Sequence, residues 1–183
     1  PYLLESRKVL IITPSILVRN QIAEDFRNLI TLKDINVLPE ICMNPNVFEL
    51  TDTKIENHID TIKHSDVIVA TPHGAYNLSI STEIKGEFDL ILVDEAHHEP
   101  AKKWREALEN FTNTKRILFT ATPFRLDNKK IKADLIYSYS LSQAYEDKIF
   151  GEITFIPVKI DANENRDVKI AVEAEKIFYE DKL

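Results

Sequence analysis

The chain has 183 residues, of which 44% are hydrophobic and 29% are charged, a composition typical of a globular domain with a sizeable core. Its formal net charge of −7 argues against strong nucleic-acid binding by the chain alone, because such affinity depends on neutralising phosphates. The single cysteine, Cys42, excludes an intrachain disulfide and a cysteine-based zinc site. We find no bilayer-length apolar run and no signal-peptide pattern, and we therefore expect a cytoplasmic protein with no membrane partner.

The first forty residues predict a strand, a turn and a helix. Lys8–Thr13 (KVLIIT) is a short apolar run typical of a buried strand, and Pro14 and Ser15 predict a turn with a helix N-cap. The apolar residues of the following helix share one face: Ile22, Phe26, Leu29 and Ile30. This is half of a strand–helix–strand unit, whose free N–H groups at the helix start could hold a phosphate.

The next segments continue the alternation of strands and helices. Between residues 34 and 50 the pattern is irregular, and we predict strands near Val37 and Phe48. Lys54–Lys63 predicts a helix, and Val67–Ala70 predicts another buried strand. The loop that follows reads TPHG, in which Gly74 permits close approach of another backbone.

Phe88–Pro100, with the sequence FDLILVDEAHHEP, is the segment around which the chain is organised. Leu90–Val93 predicts a strand buried on both faces, and it ends abruptly in Asp94 and Glu95. Buried carboxylates are costly unless a cation or ligand compensates them, so this strand end predicts a ligand site. The alternative is a strand that reaches the surface and turns polar.

The last third predicts one more helix and strand before a second region. Pro100 suits the first turn of a helix in which Trp104 is a packing anchor, and Arg116–Phe119 predicts the next strand. Further along, Ile153–Ile160 predicts a strand in which Pro157 indicates either an edge position or the exit from the domain, and Asp167 is predicted to cap a final helix. Alternating strands and helices predict an α/β layered fold with a mostly parallel sheet.

Four sequence blocks occur in a characteristic order: ITPSILVRNQ (Ile12–Gln21), VIVATPHGA (Val67–Ala75), DEAH (Asp94–His97) and FTATPFR (Phe119–Arg125). They resemble motifs Ia, Ib, II and III of superfamily 2 helicases and translocases. The phrase TATPFR resembles the branch that contains the motor subunits of type III restriction enzymes. The resemblance covers Val9 to about Phe155, and it implies a RecA-like three-layer domain.

The resemblance implies an ATP-driven motor and assigns roles at two strand ends. By analogy Asp94 holds Mg²⁺, Glu95 orients or deprotonates the attacking water, and His97 links the nucleotide site to the rest of the motor. Thr120 and Thr122 would couple the nucleotide state to the nucleic-acid site. The cofactors implied for the parent protein are ATP and Mg²⁺, which prefers carboxylate, water and phosphate oxygens.

The resemblance also implies contacts with the nucleic-acid backbone at two loops, and these assignments fall on Pro14, Ser15, Arg19, Thr71, Pro72 and Gly74. The alternative for both loops is ordinary turn formation and helix capping. The implied partners are DNA, with RNA open, and a second motor domain of the same parent chain.

The sequence departs from the family in one respect, because it contains no G-x-x-x-x-G-K-[ST] phosphate loop. Only Pro1–Arg7 precede the first predicted strand, and we expect the loop to lie upstream in a longer protein. Residues 1–155 would then be a partial first motor domain lacking the phosphate-loop strand, and 156–183 a linker with the start of the next domain. We expect this fragment to be inactive alone and able to self-associate through its incomplete sheet.

Two functions stay open at this stage. The first is part of an ATP-dependent helicase or translocase, and the second is a non-catalytic nucleic-acid-binding or scaffold module that keeps the fold. The intact Asp94 and Glu95 favour the first, because a module without ATPase activity need not keep them.

Overall fold

A computed structural model describes residues 6–52, 54–98, 102–122, 133–149, 155–161 and 163–180. The chain divides into two compact units, Pro1–Asp134 and Leu135–Leu183. The predicted domain boundary near residue 155 lies inside the second unit, and that domain assignment stays a prediction.

Strands and helices alternate through the first unit, as predicted. Two short 3₁₀ helices at Ile55–His58 and Ala96–His98 accompany these elements. The elements are β1 Val9–Ile12, α1 Ile16–Asn28, α2 Ile30–Asp34, β2 Val47–Glu49, α3 Ile59–His64, β3 Val67–Ala70, α4 Pro72–Ile80, β4 Leu90–Val93, α5 Lys102–Asn110 and β5 Lys115–Leu118.

The described strands form one parallel sheet in the order β2-β3-β1-β4-β5. Ile12, the last residue of β1, pairs with Ala70 on one side and with Val93 on the other. The strands therefore end level with one another at one edge of the sheet, which we call the carboxyl edge. This architecture confirms the predicted RecA-like α/β fold.

Helices cover both faces of the sheet, which explains why its central strands are apolar throughout. Every residue of β1 and β3 is buried. On one face α1 contributes Ala23, with Ile22 and Phe26 packed beside it. On the other face α4 and α5 contribute Leu78 and Trp104, which confirms the predicted packing role of the tryptophan.

The strand β5 is an edge strand in the described part of the sheet, where it pairs only with β4. Lys115 and Arg116 are exposed, whereas Ile117 and Leu118 are half-buried. Self-association through this edge stays a prediction.

The predicted strand near Val37 is wrong, whereas the one at Phe48 is confirmed as part of β2. The main chain turns after α2, where the N–H groups of Val37 and Leu38 both donate to the carbonyl of Leu32. Asn36 adopts a left-handed conformation with φ of 57°, which a strand does not accommodate. Local backbone bonds therefore override the strand preference of a single valine.

The second unit contains α6 (Leu141–Glu146) and α7 (Arg166–Glu180). The described part of the predicted Ile153–Ile160 strand is not a strand, and Pro157 there has no N–H to donate. The predicted cap of α7 is also wrong, because Asn165 Oδ1 accepts the N–H groups of Asp167 and Val168 at 3.0 and 3.2 Å. The predicted helix start at Pro100 lies outside the described residues. No helix in the described ranges is long and apolar enough to span a membrane.

Asp89 fastens the beginning of β1 to the beginning of β4. Its Oδ2 atom accepts the main-chain N–H groups of Arg7 at 2.8 Å and Lys8 at 3.0 Å. These hydrogen bonds stabilise the carboxylate and hold the pKa of Asp89 below its ordinary value. The start of β1 is thus stabilised by a charge that depends on pH.

We expect Asp89→Asn to lower the free energy of unfolding at neutral pH, with a difference from wild type that narrows below about pH 4. Because the pKa of Asp89 is lower in the folded state, its contribution is complete above the unfolded pKa. It is lost as pH falls through the folded pKa. Urea unfolding of both proteins at about pH 7 and pH 3 measures the difference. The exposed Glu83→Gln serves as control, and a difference independent of pH would contradict this role for Asp89.

Candidate active site at the carboxyl edge

The residues predicted to carry function follow four neighbouring strands at the carboxyl edge. Because the spatial order is β3-β1-β4-β5, the loops after β3 and β1 lie next to each other. The DEAH segment follows β4, and Thr120 comes shortly after β5. In open α/β sheets ligands bind at this edge, beyond the carboxyl ends of the strands.

Asp94 and Glu95 form a sharp turn at the end of β4. The Asp94 N–H donates to the carbonyl of Ile12 at 2.9 Å, which continues the pairing with β1. Glu95 adopts a left-handed conformation with φ of 50°, a backbone that costs roughly 1–3 kcal/mol outside glycine. The Asp94 Oδ1 atom accepts the Glu95 N–H at 2.9 Å and so holds this turn. The turn places two half-buried carboxylates side by side.

His97 connects this turn to the end of β5. Its Nδ1 atom lies 3.1 Å from Glu95 Oε2 and 3.2 Å from Thr120 Oγ1. The Thr120 hydroxyl in turn accepts the N–H of Thr122 at 3.1 Å. The structure thus brings together four of the residues predicted from sequence. One imidazole ring therefore lies between the Glu95 carboxylate and the loop after β5.

Main-chain bonds hold the two strand ends at this spacing. The Ala96 N–H donates to the carbonyl of Phe119 at 2.9 Å, and the Phe119 N–H donates to the carbonyl of Val93 at 2.8 Å. These main-chain hydrogen bonds hold His97 close to Thr120, so their contact does not depend on side chains alone. Pro123–Arg125, the remainder of the FTATPFR block, lie outside the described residues.

The carboxylates at the end of β4 are suited to a cation that takes its other ligands from water and from a bound substrate. The described residues contain no group of three or more His, Cys, Asp or Glu side chains that could bind a metal. Mg²⁺ needs fewer protein ligands, since it keeps waters and is usually bound by one or two carboxylates with substrate phosphates. Asp94, with a half-buried carboxylate at the strand end, fits that requirement.

The loops after β1 and β3 each begin a helix at the carboxyl edge. Ser15 caps α1 by accepting the Val18 N–H at 3.3 Å, and Thr71 caps α4 by accepting the Gly74 N–H at 3.5 Å. Pro72 is the first residue of α4, where a missing N–H costs nothing. Helix capping, which was the alternative role for these two loops, is therefore observed in both. The same geometry directs two helix N-termini, and their positive dipole ends, toward this edge.

The structure does not place Arg19 at the surface with these loops. The Arg19 side chain is 8% exposed, and its Nε and NH2 atoms lie 3.1 and 2.9 Å from Glu49 Oε1. Its NH1 atom donates to the carbonyl of Leu50 at 3.1 Å. The contact of Arg19 with nucleic acid stays a prediction, whereas the structure shows its guanidinium bound to Glu49 and Leu50.

Sequence reasoning missed Glu49, the last residue of β2, and Leu50, which follows it. Both accept hydrogen bonds from the Arg19 side chain. The available signal was weak, because the segment before them is irregular and carries Pro39 and Pro45. A glutamate at the end of a short strand, with an arginine 30 positions earlier in α1, is compatible with many arrangements. Only the sheet order brings α1 and β2 into contact.

Comparison of the sequence with known proteins assigns the chain to a family. Residues 2–125 match the family model described as type III restriction enzyme, res subunit. The chain is 34% identical over 82 residues to the type I restriction enzyme EcoAI endonuclease subunit of Escherichia coli. It is 32% identical over 118 residues to the putative ATP-dependent helicase IRC3 of Saccharomyces cerevisiae.

These similarities concern part of each protein. The first match covers 42% of this chain and 10% of the relative, and the second covers 56% and 16%. The helicase domain of Pyrococcus furiosus Hef is a similar solved structure, with a TM-score of 0.46 and 28% identity. That match covers 66% of this chain and 24% of the Hef chain.

Proposed function

Since the chain belongs to the type III restriction enzyme res subunit family, and so to the superfamily 2 helicase motor domains, we propose that it works within a longer protein that hydrolyses ATP to move on nucleic acid. The observation that carries this proposal is the pair of contacts made by His97 Nδ1, with Glu95 and with Thr120. They join the predicted hydrolysis site to the predicted coupling loop.

In this mechanism each residue at the end of β4 has a separate task. Asp94 would hold Mg²⁺, which when bound neutralises the negative charge of the nucleotide phosphates. Glu95, whose side chain is 43% exposed, is accessible to a water molecule and would orient it and accept its proton. His97 contacts the Glu95 carboxylate, and this contact would change when the carboxylate accepts a proton.

The nucleic acid would lie across the neighbouring loops after β1 and β3. Two capped helix N-termini at one edge would supply main-chain N–H donors for backbone phosphates, around Ser15 in one loop and around Thr71 and Gly74 in the other, where Pro72 has no N–H and would set the start of α4. Contacts of this kind do not read sequence. They suit a motor that must move along any strand.

We propose DNA as the preferred track, because two of the matched names, the family description and the Escherichia coli relative, are those of restriction enzymes. The decisive experiment measures ATP hydrolysis by the full-length protein alone, with single-stranded DNA and with single-stranded RNA. Stimulation by DNA is expected. Stimulation by RNA alone would reassign the track, and the absence of ATP hydrolysis under all three conditions would overturn the proposed motor function.

We expect the isolated 183-residue chain to bind ATP·Mg weakly, with a dissociation constant well above about 1 µM. The physical reason is that the sequence has only three glycines and no phosphate loop to supply backbone donors and a lysine. Calorimetric titration measures the affinity, with the full-length protein as the positive control. Micromolar binding by the chain, about −8 kcal/mol, would reveal a different phosphate site.

A further inference from the structure

The buried guanidinium of Arg19 connects the first turn of α1 to the end of β2. It bonds to both the Glu49 carboxylate and the Leu50 carbonyl, and its NH2 atom also donates to Asn20 Oδ1 at 3.0 Å. Glu49 is itself 17% exposed, and its second oxygen lies 3.5 Å from the NH2 atom of Arg27. A buried arginine held in a planar fork fixes direction as well as distance.

The contact continues from Leu50 to the first turn of α4. Leu50 is 2% exposed, and its N–H donates to the carbonyl of Val69 at 2.9 Å. Its side chain packs so closely against Gly74 that a Cβ atom added there would lie 3.1 Å from Leu50 Cδ2. Glycine at this position thus allows α4 to approach the residue that Arg19 holds.

The two helices joined by these contacts lie on opposite faces of the sheet. The α1 helix packs on the face that includes Val9 and Val69, and α4 packs on the face that includes Ile68 and Ala70. The sheet therefore separates the helix bodies. The spacing between their N-termini is set by the pairing of β1 with β3, which ends at Ile12 and Ala70, and by what else connects the helices at the carboxyl edge.

We propose that Arg19, Glu49, Leu50 and Gly74 form a strut that sets the distance between the N-termini of α1 and α4. Arg19 is then a positioning residue for nucleic-acid binding and does not touch the nucleic acid. This inference rests on the proposed function, in which both helix starts hold backbone phosphates. A buried ion pair is weak evidence for stability, so we assign this one the geometric role of fixing the orientation of the elements that it joins.

The distance itself is measurable without nucleic acid. Nitroxide labels at Leu17→Cys and His73→Cys, both exposed positions, report the spacing by pulsed electron paramagnetic resonance in a full-length protein from which Cys42 and every other native cysteine have been removed. Arg19→Gln is expected to shift or broaden the distribution of distances between the labels. Gly74→Ala, at the other end of the strut, is expected to shift the same distribution. Arg27→Gln, which removes the more exposed partner of Glu49, is expected to leave it unchanged. An unchanged distribution in both strut variants would overturn the proposal.

A second measurement separates positioning from direct contact. We expect Arg19→Gln to weaken binding of fluorescein-labelled single-stranded DNA by about tenfold, or about 1.4 kcal/mol, and Arg27→Gln to have no effect. The slope of log affinity against log salt is expected to stay the same, whereas loss of a phosphate contact would reduce it by about one. A reduced slope would mean that Arg19 contacts phosphate. If the wild-type protein binds no nucleic acid, the proposed function fails, while the distance measurement still decides whether the strut exists.

Discussion

Replacement of Glu95 by glutamine in the full-length protein is expected to preserve ATP binding and to lower turnover by roughly 10²–10⁴-fold, the range typical of losing a general base. Glutamine keeps the length of the side chain and meets the same left-handed backbone at φ of 50°. It cannot accept a proton from water at neutral pH. The contact with His97 Nδ1 loses its charge but keeps an acceptor oxygen, so the fold of the turn is expected to survive.

Single-turnover hydrolysis and nucleotide binding, measured on the same preparation, test this expectation. Glu109→Gln, an exposed carboxylate on α5, is the matched control and is expected to behave as wild type. Wild-type turnover in Glu95→Gln would contradict the role of Glu95. If wild type itself also lacked turnover, the result would favour a scaffold module that keeps the fold without the chemistry.

Truncation of Phe111 to alanine is expected to lower the free energy of unfolding by about 3–5 kcal/mol. Phe111 follows α5 and is 1% exposed in the cluster that includes Trp104 and Leu108. Its ring meets that of Phe88 edge to face, with centroids 5.7 Å apart and planes at 88°. Removal leaves a cavity beneath the start of β4 and also removes an aromatic pair.

Urea unfolding monitored by circular dichroism measures the loss, which is large against a typical stability of about 5–15 kcal/mol. Ile41→Ala is the control, since this side chain is 91% exposed and its truncation is expected to change stability by less than about 0.5 kcal/mol. A loss below about 1 kcal/mol in Phe111→Ala would show that the surrounding side chains close the cavity.

Short-range patterns were enough to predict much of this fold. The continuous apolar runs at Val9–Ile12, Val67–Ala70 and Leu90–Val93 are strands, because a parallel sheet covered on both faces demands apolar residues throughout. Ser15 caps its helix for an equally local reason, since the hydroxyl bonds an N–H three residues away.

Predictions from sequence failed where a different local hydrogen-bond pattern forms. The strand expected near Val37 is a turn, since Leu32 collects two backbone N–H groups that a strand would need elsewhere. At the start of α7 the cap is Asn165 and not Asp167, because the helix begins at Arg166. Helix boundaries shift by one or two residues without a strong sequence signal.

The sequence by itself determined the family, the order of the motifs and the placement of Asp94 and Glu95 at a strand end, because each depends on residues adjacent in the chain. Tertiary structure alone decided which strand ends become neighbours. The order β2-β3-β1-β4-β5 brings His97 to Thr120, 23 positions apart, and Arg19 to Glu49, 30 positions apart. Such contacts form because parallel strands align their carboxyl ends, and the burial of Arg19 against Glu49 likewise could not be read from residues adjacent in the chain.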